Sequence, residues 1–109
     1  MQLKAKTCVA CRVGEPTLKK AEIGKFLEEV DAWELGSNPD KIVREFEFGD
    51  FKGAILFVNK VADLAESEGH HPNIYIHSYK NVKIELWTHK IGGLHENDFI
   101  LAAKIDELV

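Results

Sequence analysis

One amphipathic run, closed at both ends, constrains this chain more than any other stretch. Asp50 is a good N-cap, and Phe51, Ala54, Ile55, Val58, Val61, Ala62 and Ala65 recur on one helical side. Phe57 and Leu64 widen that stripe, and Gly69 suits the left-handed position that ends a helix. A long helix therefore stops where His70-His71-Pro72 begins. Beyond it, Ile74 and Ile76, then Val82, Ile84 and Leu86, keep the period of two expected of strands with one buried face. A three-residue loop, Tyr79-Lys80-Asn81 with Asn81 left-handed, sets Ser78 opposite Val82, Ile76 opposite Ile84 and Ile74 opposite Leu86. That register also places His71 across from His89.

Upstream, residues 1–16 contain Gly14 and Pro16 and no sustained periodicity, so they read as an irregular N-terminal extension before a single domain over 17–109. Thr17 is the expected cap of a helix from about residue 18 to 30, with Leu18, Ile23, Phe26, Leu27 and Val30 on its apolar stripe. Trp33-Glu34-Leu35 and the run from Ile42 to Phe48 read as strands joined by turn residues. Ile42, Phe46 and Phe48 share the buried face of the second strand with Arg44. The last helix, Glu96 to Leu108, has so little polar surface that it is expected to be buried on more than one side. A second subunit or one broad intramolecular contact would meet that need.

A net charge of -4 argues against nucleic acid as a partner, because phosphate binding relies on clustered Lys and Arg. The first residues lack the apolar core of a secretory signal, and no run approaches the roughly 20 apolar residues of a membrane span. The expectation is a soluble cytoplasmic protein without a membrane partner. Cys8 and Cys11 form a Cys-x-x-Cys without a second pair, too few for a disulfide framework or a complete zinc site. They read as reduced thiols at a local turn, or half of a metal site completed by a partner.

The chemistry concentrates in His70, His71, His89 and Asp98, all at expected ends of regular elements. Histidine suits proton transfer near neutral pH, since its ordinary pKa of roughly 6.5 leaves both protonation states populated. The plain structural alternative is that His70 and His71 cap the preceding helix and His89 decorates a polar face. Pro72 weighs against it, because it biases His71 toward an extended backbone and so holds the pair in one orientation. A metal site is disfavoured because adjacent side chains at the start of a strand point to opposite faces. Asp98, third in the last helix when His95 caps it, suits the helix dipole and can also orient a histidine. Trp87 shares the alternating face of His89, where its ring can stack on a planar ligand. His77 and His95 are assigned surface or capping roles.

The spacing Glu66-x3-His70-His71-Pro72-x6-Tyr79-x9-His89-x8-Asp98 resembles the signature of the pterin-4a-carbinolamine dehydratases. The resemblance implies an α+β fold, a four-stranded antiparallel sheet with three helices packed on one face, assembled as a homodimer or homotetramer. It implies dehydration of 4a-hydroxytetrahydropterin to quinonoid dihydropterin, recycling the pterin cofactor of an aromatic amino-acid hydroxylase, with no metal and no organic cofactor. Residue by residue, it implies that His70, His71 and His89 are catalytic, with His70 and His89 moving protons and His71 positioning the pterin. Pro72, Trp87, Thr88 and Asp98 would contact the substrate or close its site. Asn73 departs from the acidic residue usual after the proline, and the Cys8-x-x-Cys11 segment lies outside the signature. The alternative within the resemblance is a non-catalytic dimerisation or assembly cofactor for a partner protein.

Overall fold

Residues 3–9 and 13–109 are described by the structure, a computed structural model. In chain order the elements are α1 (Lys20–Glu29), β1 (Glu34–Gly36), β2 (Lys41–Glu47), α2 (Phe51–Glu68), β3 (Asn73–His77), β4 (Asn81–Leu86) and α3 (Glu96–Asp106). Short 3-10 turns occupy Leu3–Ala5 and His89–Ile91. The strands form one antiparallel sheet in the order β1-β2-β4-β3, as the α+β expectation required.

Alternation decides which face of the sheet the helices cover. Ile42 and Phe46 from β2 and Val82, Ile84 and Leu86 from β4 are buried in one core with Ala54, Phe57 and Val61 of α2 and Phe99 and Leu101 of α3. Arg44 stays on that face by pairing with Asp106 at 2.6 Å while its guanidinium lies 4.3 Å from the Phe46 ring centre. The opposite face is polar, with Lys41 and Lys83 reaching Glu85 at 3.5 and 3.6 Å and Glu45 pairing with His77. Among the described residues no helix is long and apolar enough to cross a membrane.

The β3–β4 hairpin corrects the expected register by two residues. Ile74 pairs with Ile84, Ile76 with Val82 and His77 with Asn81, so the loop is Ser78-Tyr79-Lys80. Ser78 and Tyr79, not Asn81, take positive φ, at 49° and 52°. A shift of two preserves the face of every side chain, so Ile74 still meets the core, but β3 is an edge strand and Ile76 is exposed. His71 consequently does not sit across from His89. It precedes β3, and His89 has left β4 for the 3-10 turn that follows.

One further expectation changes. Thr17 does not cap α1; Lys19 holds that position, its backbone N–H donating to Glu22 Oε1 at 3.0 Å. Thr17 instead packs on Gly93, where a Cβ would lie 2.6 Å from its methyl carbon, and the next residue's N–H reaches Leu94 O at 2.9 Å. The breadth of apolar surface on α3 is met within one chain, the intramolecular alternative. α1 and α2 pack on α3, the Phe26 and Phe99 rings stack at 5.2 Å, and the N-terminal turn carries Leu3, 1% exposed, into the same core.

Candidate active site

The site begins where α2 stops. Asp50 accepts the Gly53 N–H at 2.7 Å at the start of that helix, and Gly69 ends it in the left-handed conformation at φ 65°. Gly69 turns the chain so that the His70 N–H closes back on Ala65 O at 3.2 Å. His70 is thereby delivered from a rigid helix end into the interior. Its Nε2 lies 2.6 Å from Asp98 Oδ1.

Asp98 reaches that position from the first turn of α3, where His95 and Asp98 cap the helix together. The Asn97 N–H donates to His95 Nδ1 at 3.0 Å, and the His95 N–H donates to Asp98 Oδ2 at 3.0 Å. The Thr88 hydroxyl donates to the same Asp98 oxygen at 3.0 Å. Asp98 is 0% exposed, yet each carboxylate oxygen has a partner, which is what keeps a buried acid tolerable. With Nε2 committed to the carboxylate, Nδ1 is the His70 nitrogen left for other chemistry.

His71 takes the opposite direction, as neighbouring residues in extended chain do. Its Nε2 meets Glu66 Oε2 at 2.7 Å on the surface, where both side chains are largely exposed. His89 is held differently again, its ring 4.5 Å from that of Trp87 with 34° between the planes. Among the described residues no three His, Cys, Asp or Glu side chains are grouped to hold a metal ion. The three histidines nevertheless line one cavity of about 350 Å³, whose wall also contains Pro72, Trp87 and Thr88. Cavities of this order hold a small planar ligand. His70, His71, Pro72, Trp87, Thr88 and His89 thus line one cavity, and Asp98 lies behind it, in contact with His70 and Thr88.

Val9 and Asn97 also line the cavity and escaped the sequence reading. The N-terminal segment shows no periodicity, and a polar residue in a first helical turn normally faces water. Here the segment lies along α3. The Cys8 N–H donates to Glu68 Oε1 at 2.9 Å, and Lys104 Nζ reaches Glu68 Oε2 at 2.6 Å. Both donors hold the Glu68 carboxyl below its ordinary pKa. Burial, and then the Glu68 charge, push the Cys8 thiol up from 9.0 to about 12, so it is protonated and a poor nucleophile near neutral pH. Cys11 lies outside the described residues.

These shifts give stability a pH dependence of definite sign. A depressed carboxyl favours the folded state above its unfolded pKa, and the advantage fades as pH falls through the lower folded value. A raised thiol favours the folded state below 9.0, and that advantage fades as pH climbs from 9.0 to about 12. Glu68→Gln is expected to flatten the acid limb of urea midpoints followed from pH 7 to pH 3. An acid limb as steep as the wild type's would show that Glu68 carries none of it.

The chain matches the family model described as Pterin 4 alpha carbinolamine dehydratase over residues 16–108. It is 45% identical over 109 residues to pterin-4-alpha-carbinolamine dehydratase 2, mitochondrial, of Arabidopsis thaliana, an alignment covering 97% of this chain and 58% of that longer protein. Among solved structures it resembles a transcriptional coactivator/pterin dehydratase from Brucella melitensis, with TM-score 0.79 and 31% identity over 85% of this chain and 98% of that one. It also resembles a pterin dehydratase-like protein identified as a RuBisCO assembly factor in the alpha-carboxysome. There the TM-score is 0.61 and the identity 29%, over 71% of this chain and 88% of that one.

Proposed function

Because this chain belongs to the pterin-4-alpha-carbinolamine dehydratase family, we infer that its cavity binds 4a-hydroxytetrahydropterin and removes the 4a-hydroxyl as water. The observation that carries the reading is the short His70–Asp98 contact at a cavity also lined by His71 and His89. The reaction breaks the C4a–O bond and makes the N5=C4a bond. The departing oxygen needs a proton, and N5 must lose one. Two positioned histidines meet both needs without a covalent intermediate.

His70 is held by a hydrogen-bond partner, His89 by a ring contact. The carboxylate on Nε2 fixes the ring's orientation and leaves Nδ1 as the nitrogen that exchanges a proton with the substrate. His89, in contact with Trp87, supplies the second transfer, while the exposed His71 orients the pterin. Trp87 and Pro72 offer apolar surface to the planar ring. Nothing in these steps calls on a metal or an organic cofactor. The quinonoid dihydropterin released is the form from which a pterin-dependent aromatic amino-acid hydroxylase recovers its cofactor.

The test is the absorbance decay of freshly generated 4a-hydroxytetrahydropterin. Wild-type protein is expected to accelerate the decay equally with and without a chelator, and His89→Ala to slow the catalysed rate by about a hundredfold. Loss of activity on chelation would refute metal independence. Folded wild type that gives no acceleration would favour an assembly role, the function identified for the carboxysomal relative.

A further inference from the structure

Among the described residues the N-terminal segment meets the cavity at Val9, and a buried side chain fixes it there. Asn97 is 2% exposed and engages both backbone groups of Val9. The Val9 N–H donates to Asn97 Oδ1 at 3.0 Å, and Asn97 Nδ2 donates to Val9 O at 2.5 Å. Immediately before it, the Cys8 N–H is taken by Glu68, and the Cys8 thiol donates to Asn97 O at 3.6 Å. Farther back, Leu3 is buried in the core, and Lys6 pairs with Glu96. The segment is therefore anchored on both α2 and α3 up to the point where it meets the cavity.

Such a clamp uses only main-chain atoms of residue 9 and leaves the side chain uncommitted. That side chain is valine, 62% exposed, and it forms part of the cavity wall beside His70, His71 and Thr88. Among the described residues, the apolar side chains on that wall are Val9, Pro72 and Trp87. An apolar group held at a ligand cavity but open to solvent gains by being covered when a flat, partly apolar ring enters. Because its main chain is already fixed, covering it costs little ordering.

We propose that Val9 is a substrate-contacting residue that sets pterin affinity, and that Asn97 is the positioning residue that holds it at the cavity. The inference rests on the dehydratase reading and extends the site to a segment outside the dehydratase signature. Val9 is remote from neither ground state nor transition state, and it bears no group that moves a proton. Its contact is uniform along the reaction, so it acts on KM and not on kcat.

Steady-state dehydration kinetics on Val9→Ala, Asn97→Leu and the double variant test this. Val9→Ala is expected to raise KM by about three- to tenfold with kcat within about twofold of wild type. Asn97→Leu is expected to raise KM at least as much, and adding Val9→Ala to it to change KM no further, since the two act through one contact. If Asn97→Leu does not fold, Val9→Gly takes its place as a graded truncation of an exposed side chain and is expected to exceed Val9→Ala in KM. Unchanged KM in Val9→Ala, or independent effects in the double variant, overturns the proposal while an active wild type leaves the dehydratase reading standing. An inactive, folded wild type overturns both.

Discussion

Replacing His70 with alanine is expected to lower kcat for 4a-hydroxytetrahydropterin dehydration by about a hundred- to ten-thousandfold, the range associated with one positioned acid or base. The chain should still fold, because the bond that turns it at this point is made by the backbone N–H to Ala65, while the loss of the ring from buried Asp98 Oδ1 lowers stability by about 1 to 3 kcal/mol. His71→Ala provides the contrast within the same dipeptide. That ring is 62% exposed and paired with an exposed glutamate, so its loss should be felt mainly in KM, and by about tenfold at most. Single-turnover rates on both variants, with circular dichroism to verify folding, separate the roles. Retention of kcat within about threefold in His70→Ala would remove the central element of the mechanism.

Asp98→Asn should do comparable damage to the rate and should also weaken the fold. The carboxylate accepts from Thr88 Oγ1 and the His95 N–H on one oxygen and contacts His70 Nε2 with the other. An amide has one acceptor oxygen: turned toward Thr88 and His95 it aims its NH₂ at His70 Nε2 and forces the ring into the other tautomer, and turned the other way it leaves two buried donors facing an NH₂ group. Exchanging charge-assisted bonds for neutral ones, or leaving buried donors unmatched, costs about 1 to 3 kcal/mol, visible as a lower urea midpoint at unchanged slope. The kinetic loss should be shared with His70. In the double variant, kcat should fall no further than in the worse single variant, because Asp98 acts through that ring. Additive losses would mean that Asp98 touches the substrate independently.

The sequence made α2 and the position of His70 legible because both follow from local signals: a capping aspartate, a 3.6-residue stripe and a terminating glycine. The sheet faces were legible for the same reason. The hairpin register was not, because Ser78 and Tyr79 adopt positive φ without being glycine or asparagine, and nothing in a turn of that composition announces it. The pairing of His70 with Asp98, 28 residues apart, was legible only as one option for the acid, since it depends on how the start of α3 meets the end of α2. What lies across α3 was the least legible. A helix with an unbroken apolar run from Phe99 to Ala103 must be covered on more than one side, and only tertiary structure reveals that α1, α2 and the start of the chain do so.

That cover bears on where the folding unit should be cut. The family match begins at residue 16, yet Leu3 lies in the core, Leu3 N reaches Glu29 Oε1 at 3.4 Å, and Lys4 meets Glu107 at 2.6 Å. The boundary of the family match is therefore not the boundary set by packing. A clone trimmed to the matched region would keep every residue of the dehydratase signature and still present a bare stripe of α3 to the solvent, inviting self-association in a protein whose catalytic residues are all in place.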